Sequence, residues 1–386
     1  MSALRVGLFT ECYRPIQNGI VASIDALAGT LRAEGHTPIV VTPWMPANRD
    51  AGPNVVRVPS LPLPTRTAYR LTVPYLPRAV GELSLVHVHS PFVTGWLGMR
   101  AARRAGVPLV FTYHTQLEAY AHYIPFERRA TRDAATLLTR TFANLADVVV
   151  VPTLAMERRL RDLGVDAQIA VVPSGIDRAT FSRGQRSRAL RATLGIDAQA
   201  KLVLCVGRLG REKNLGLALR AFARLDDPRA RLVVVGGGEH RAALERLAAA
   251  LQIGSRTTFV GELARAELPD VYASADVFLF TSTSDTQGLV LVEALAAGLA
   301  VVAVDSPQTR DVIADAGVLC DGEPGAVAAA LATVLGGRRP DRARGAVIAA
   351  SFDSGVLGAR MIALYEALRE SAPSRRQKPL AVGAGH

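Results

Sequence analysis

Residues 281–298, TSTSDTQGLVLVEALAAG, place an acid at Asp285, a turn through Thr286, Gln287 and Gly288, and a second acid, Glu293, inside an apolar run. The strand-like stretch before it ends at Phe280 and a helical pattern begins near Gly288. The backbone amides of Gln287, Gly288 and Leu289 therefore open a helix, where they lack intrahelical acceptors and can take phosphate or sugar oxygens. Asp285, ahead of the helix, either reaches a sugar hydroxyl or caps the helix. Glu293, about one and a half turns inside, either accepts from a ribose diol or lies on a solvated face. Its neighbours Val290, Leu291, Val292, Ala294, Leu295 and Ala296 are all apolar, so an acid there requires a reason.

Two cations stand at another strand-to-helix turn. Arg208 closes the run KLVLCVGR (201–208) and Lys213 follows five positions later, a spacing that suits a diphosphate and equally an exposed basic loop. In the N-terminal half, GLFTECYRPIQNGI (7–20) leaves a strand and enters a helix at Gly19, which lets backbone approach a ligand or simply makes the turn. FTYHTQLEAYAHYIP (111–125) sets His114 at a strand end among Tyr113, Glu118, Tyr120, His122 and Tyr123, a concentration of polar groups that favours a site role over a structural histidine. His87 and His89 share one face of a strand by alternation, which fits a packed strand end better than a metal site.

These groups need elements to hold them. RVGLFT (5–10), TPIVVT (37–42), LVHVH (85–89), PLVFTYH (108–114) and DVVVVPT (147–153) read as strands, with helical spacing over 20–34 and 127–144 and another helix ending near Gly106. A second series starts at 201 and runs through helix 215–225, strand RLVVVGGG, helix 240–251, strands TTFVG and DVFLFTS, helix 288–297 and strand AVVAV. Such alternation predicts two α/β units with parallel sheets, whose ligands lie beyond the C-terminal strand ends. PSGIDRATFSRGQRSR (173–188) has no apolar period and reads as a linker, giving an N-terminal domain over 1–178 and a C-terminal domain over 179–354. Residues 355–370 form an amphipathic helix, and 372–386 read as a disordered tail. The Pro-rich stretch 59–78, with Tyr69, Arg70, Tyr75 and Arg78, stands where a short loop is expected and reads either as an irregular surface loop or as an acceptor- or membrane-facing segment.

The chain of 386 residues is 49% apolar, yet no apolar run reaches the roughly 20 residues of a membrane span, and the N-terminus lacks a secretory pattern, so a cytoplasmic protein is expected. Cys12, Cys205 and Cys320 are too scattered for a zinc site or a disulfide framework and read as core thiols. A formal charge of +11 calls for an anionic partner: a phosphate-bearing small molecule, an acidic membrane or, lowest in rank for want of a zinc-finger or RNA-binding motif, a nucleic acid.

Gly19, YHT at 113–115, PSGID at 173–177, Arg208 with Lys213, and above all SDTQGLVLVEALAAG resemble the family 4 retaining glycosyltransferases over nearly the whole chain. The resemblance implies the GT-B fold, two Rossmann-like domains facing a cleft, with the last helix, 355–371, crossing back to the N-terminal domain. It implies that Arg208 and Lys213 hold a donor diphosphate, that Glu293 takes the ribose hydroxyls, and that Asp285 with the amides of Thr286, Gln287, Gly288 and Leu289 orients the hexose. It further implies that Gly19 contacts the phosphate and that His114 lies beside the transferred sugar. Many members have Glu where this chain has Asp285, which is shorter by one methylene. A nucleotide sugar is then the substrate, with no metal or further cofactor, because fixed cations and amides stabilise the leaving group. The opening TECYRPIQNGIVASI and the EAYAHYIP run look most like bacterial enzymes that move glucose or mannose onto lipids at the inner membrane face. The competing readings are a transferase with a soluble or natural-product acceptor, and a sugar-nucleotide epimerase on the same fold.

Overall fold

Runs such as Val148–Val151 and Arg231–Val235 are almost entirely apolar because helices cover both faces of the sheets they enter, so they lack the alternation of a half-exposed strand. The computed structural model describes residues 3–46, 52, 54–62, 70–119, 127–197 and 199–371. Tyr69 and the expected tail 372–386 lie outside them.

The N-terminal half contains β1 (Arg5–Phe9), α1 (Gly19–Ala33), β2 (Thr37–Pro43), β3 (Val55–Val58), β4 (Ser60–Pro62), β5 (Arg70–Thr72), β6 (Leu85–Val88), α2 (Val93–Ala105), β7 (Leu109–Thr112), α3 (Arg128–Leu145), β8 (Val148–Val151), α4 (Leu154–Asp162) and β9 (Gln168–Val171). Seven of its strands form a parallel sheet in the order β3-β2-β1-β6-β7-β8-β9. After α5 (Arg178–Ser182) and α6 (Arg188–Thr193), the second half contains β10 (Leu202–Val206), α7 (Leu215–Ala223), β11 (Arg231–Val235), α8 (Arg241–Ala250), β12 (Thr257–Gly261), α9 (Leu268–Ser274), β13 (Val277–Phe280), α10 (Leu289–Ala296), β14 (Ala300–Val304), α11 (Pro307–Ile313), β15 (Val318–Cys320), α12 (Pro324–Leu335), α13 (Arg342–Ser351) and α14 (Ser354–Ser371). Its sheet is parallel throughout, ordered β12-β11-β10-β13-β14-β15. This is a GT-B architecture.

The strand order reverses in each sheet between two adjacent parallel strands, β1 and β6 in the first and β10 and β13 in the second. Loops leaving those strands open outward and leave a crevice at the C-terminal edge. Gly19 follows β1, Arg208 and Lys213 follow β10, and Asp285 follows β13. Each sheet has apolar clusters on both faces, around Phe9, Phe111 and Phe142 or Ile24 and Tyr365 in the first, and around Phe278 and Leu291 or Phe222 and Leu331 in the second. Cys12, Cys205 and Cys320 are free, and burial pushes the Cys205 thiol up to about 12.

Helix α14 returns to the N-terminal half. The Thr30 hydroxyl donates to the Ser354 carbonyl at 3.2 Å, and the space at Gly358 is filled by the Thr30 side chain, 2.5 Å from where a Cβ would sit. Two stretches differ from expectation. Residues 173–188 hold the helix α5, with α6 starting at their end; elements of five and six residues are too short to display an apolar period, although Phe181 is fully buried. The 59–78 stretch contains a two-stranded antiparallel hairpin, β4 with β5, in which Leu61 faces Leu71.

Candidate active site

The turn after β13 is built by hydroxyls. Thr281 Oγ1 donates to the Lys213 carbonyl (3.0 Å), while Ser282 and Ser284 Oγ both donate to the Glu212 carbonyl (3.2 and 3.0 Å). These bonds fasten the loop after β10 to the loop after β13 and bring Lys213 Nζ onto Asp285 Oδ1 in an ion pair. The other carboxylate oxygen, Asp285 Oδ2, is buried and has no hydrogen-bond partner. A buried acceptor of that kind is costly unless a ligand donor fills it. Gly288 has φ 78°, a left-handed conformation that favours glycine, and turns the chain into α10. The amides of Gln287, Gly288 and Leu289 thus come at the start of α10, as the spacing predicts.

Arg208 is held by Glu212, whose side chain is buried, and lies 3.8 Å from Glu239. Sequence inspection passes over Glu212, although an acid four positions after an arginine is a readable pairing signal. The backbone here is crowded: a Cβ on Gly236 would lie 1.9 Å from the Gly207 carbonyl, so only glycine lets the ends of β10 and β11 approach. Glu293 lies 3% exposed on α10. The Tyr272 hydroxyl donates to its Oε2 at 2.9 Å and Arg265 Nη2 pairs with its Oε1 at 3.1 Å. Burial pushes its carboxyl up, against the pull of Arg265 and Tyr272.

Across the crevice, Gly19 starts α1, and Leu289 of α10 is the side chain nearest to where its Cβ would be, at 3.8 Å. His114 Nε2 lies 2.9 Å from His89 Nδ1, and the rings stack with centroids 5.2 Å apart. His87 is committed on both ring nitrogens, to the Tyr365 hydroxyl and to Thr112 Oγ1, each at 2.6 Å, the packed strand end that its position in the sequence suggests. Burial pushes His114 down to about 4, His87 to about 3 and His89 well below the ordinary imidazole value, so all three are neutral at pH 7. Glu11, just past β1, accepts from Thr72 Oγ1 (2.7 Å) and from the Thr94 amide (3.0 Å), tying the β4–β5 hairpin to the start of α2.

The donor-side turn is bonded directly to the opposite half. Thr286 Oγ1 donates to the His114 carbonyl (3.0 Å), Gln116 Nε2 to the Ser284 carbonyl (2.9 Å) and Thr153 Oγ1 to the Thr286 carbonyl (3.1 Å). The Gln287 side chain accepts from the Ser174 amide (2.8 Å) and donates to the Ser174 carbonyl (2.9 Å), so it is spent on the connection between the halves and only its amide stays with the crevice. In the 59–78 segment, Arg70 bonds Ser60 and stacks 5.3 Å over Trp44, which makes it a brace of the hairpin; Tyr75 and Arg78 are exposed.

With this geometry in hand, the comparisons are specific. Residues 17–180 match the model described as Glycosyltransferase Family 4, and 187–346 the one described as Glycosyl transferases group 1. The chain is 34% identical over 324 residues to alpha-monoglucosyldiacylglycerol synthase of Streptococcus pneumoniae, covering 81% of this chain and 74% of that protein. It is also 34% identical over 329 residues to a GDP-mannose-dependent alpha-mannosyltransferase of Mycobacterium tuberculosis, covering 81% and 82%. Among solved structures, sucrose-phosphate synthase from Thermosynechococcus elongatus matches with a TM-score of 0.76 at 22% identity, over 95% of this chain and 100% of that one. HepE of Anabaena, in complex with UDP, matches with 0.73 at 19% identity, over 94% and 100%. The likeness to both structures is one of fold.

Proposed function

This chain belongs to glycosyltransferase family 4, and from that premise we propose that it moves glucose or mannose from a nucleoside diphosphate sugar to a hydroxyl of a lipid or glycolipid at a membrane surface, with retention at the anomeric carbon and without a metal. The observation that carries the reading is Asp285: one oxygen on Lys213, the other buried and unfilled, beside the first turn of α10. A hexose hydroxyl fills the empty acceptor, and the diphosphate joins Lys213, Arg208 and the α10 amides. Charge that develops on the leaving diphosphate then meets cations already in place. The acceptor oxygen bonds to the anomeric carbon on the face from which the phosphate oxygen departs, and the acceptor's proton passes to that oxygen. His114, neutral, serves as a hydrogen-bonding group beside the hexose.

A lipid acceptor is supported by the outer surface of the N-terminal half. Trp44, Leu61 and Leu71 are 46%, 56% and 49% exposed, and Tyr75, Phe92 and Trp96 are exposed with them, around the hairpin that Glu11 ties to α2. Among the described residues no helix is long and apolar enough to cross a membrane. An apolar edge of this kind on a chain of net charge +11 fits an anionic bilayer. The test is release of nucleoside diphosphate from UDP-glucose or GDP-mannose in the presence of diacylglycerol or phosphatidylinositol vesicles. Release that requires the lipid, with label entering it, supports transfer; turnover of the sugar nucleotide without acceptor, as in epimerisation, sinks it. Leu61→Asp with Leu71→Asp is expected to abolish vesicle binding and leave nucleotide affinity unchanged.

A further inference from the structure

Glu293 draws its partners from two elements outside its own helix. Tyr272 belongs to α9, and Arg265 to the loop between β12 and α9, a loop closed by the bond from the Ala264 amide to Glu267 Oε2 at 2.7 Å. The Arg265 guanidinium also lies 5.4 Å from the Phe181 ring of α5, so its aromatic and acidic contacts together fix its direction. The carboxylate side chain is 4% exposed while Arg265 is 46% exposed. Removing a carboxylate from water is unfavourable by several kcal/mol unless a charge and hydrogen bonds replace the solvent. Of the two partners that Glu293 meets, the Tyr272 hydroxyl is neutral and Arg265 is the cation.

We propose that Arg265 is a positioning residue of the donor site, which holds Glu293 as an oriented carboxylate whose remaining lone pairs accept the two hydroxyls of a nucleotide ribose. The inference rests on Glu293 being the ribose acceptor. Each oxygen makes one bond inside the protein, at 2.9 and 3.1 Å, and a carboxylate offers about four acceptor sites, so two stay open for a vicinal diol. Without Arg265 the buried carboxyl binds a proton as pH falls, and the protonated form loses an acceptor site. The loop after β12 thereby acts on sugar recognition without touching the nucleotide.

The measurement is calorimetric binding of UDP and GDP, and of their 2′-deoxy counterparts, to the full chain at about pH 6 and about pH 8, both above the ordinary carboxyl value. Wild type is expected to prefer the ribonucleotides by about tenfold at both pH values, the worth of one hydrogen bond to a charged group. In Arg265→Met this preference falls, and falls further at the lower pH; Arg265→Lys, which keeps the cation, restores most of it. Arg265→Met with the wild-type preference at the lower pH overturns the inference. So does a variant that binds ribo and deoxy forms equally more weakly, their ratio intact, because Arg265 then acts on the nucleotide itself. Glu293→Gln separates the premise from the inference: if it keeps the full ribose preference, both fail, and if it loses the preference while Arg265→Met keeps it, the inference alone fails.

Discussion

The two walls of the crevice work with different electrostatics. On the C-terminal wall every functional group is charged or a helix-terminal amide, and the cations Arg208 and Lys213 are held on acids, Glu212 and Asp285, until an anion competes for them. On the N-terminal wall the central groups are the three imidazoles of His87, His89 and His114, all kept neutral by burial. In the proposed transfer the first wall would receive the negative charge of the diphosphate, and the second would meet neutral hydroxyls through His114. Under that reading, a cationic histidine beside the hexose would compete with Lys213 for the diphosphate, and burial keeps His114 neutral.

The comparison breaks most readily on the charged wall. Lys213→Ala is expected to lower turnover by about a hundred- to a thousandfold, the range for removing one group that stabilises developing charge, and to lower the melting temperature as Asp285 loses its cation. A loss under tenfold would move the diphosphate elsewhere. On the neutral wall, His114→Ala is expected to lower turnover by about tenfold, one hydrogen bond's worth, and to leave nucleotide affinity intact. The wild-type rate should show no histidine ionisation between about pH 6 and 8, because His114 loses its proton near 4.

A smaller effect appears in stability. His87 and His89 have folded values below the ordinary 6.5, so the unfolded chain binds protons that the folded chain refuses. Their contribution is whole above that value and is lost as pH falls below it, for His87 down to about 3, on the order of 1 kcal/mol per pH unit for each proton. Urea midpoints measured across that range, with His87→Phe expected to flatten the slope, check the sign. Smallest of all, Gln287→Ala removes the two bonds to Ser174 and is expected to raise the donor KM about three- to tenfold while leaving the chemistry intact.

How legible each wall was follows from its construction. The donor turn is contiguous: Asp285, Gly288 and Glu293 fall within nine residues, and a strand end followed by glycine and an apolar helix announces itself. The inner parallel strands were equally readable, since short apolar runs fill both sheets, whereas the edge strands β3, β9 and β15 went unread. The partners that hold the site were not. Tyr272 precedes Glu293 by 21 positions, Gln116 meets Ser284 across 168, and Tyr365 meets His87 across 278. Such pairings exist only once the strand order is known. Glu11 was hidden too, its role depending on a three-residue strand, β5, in a Pro-rich stretch without alternation. The exposed Leu61 and Leu71 come from separate strands, and only the hairpin pairs them.

Donor binding at the turn after β13 is tested most directly by thermal unfolding with UDP-glucose and GDP-mannose, on wild type, Lys213→Ala and Glu293→Gln. At a hundred times its dissociation constant, the true donor should stabilise the wild type by about 2.7 kcal/mol; both variants, at the same concentration, should be stabilised by far less. Equal stabilisation of all three proteins would contradict the assignment of the donor site.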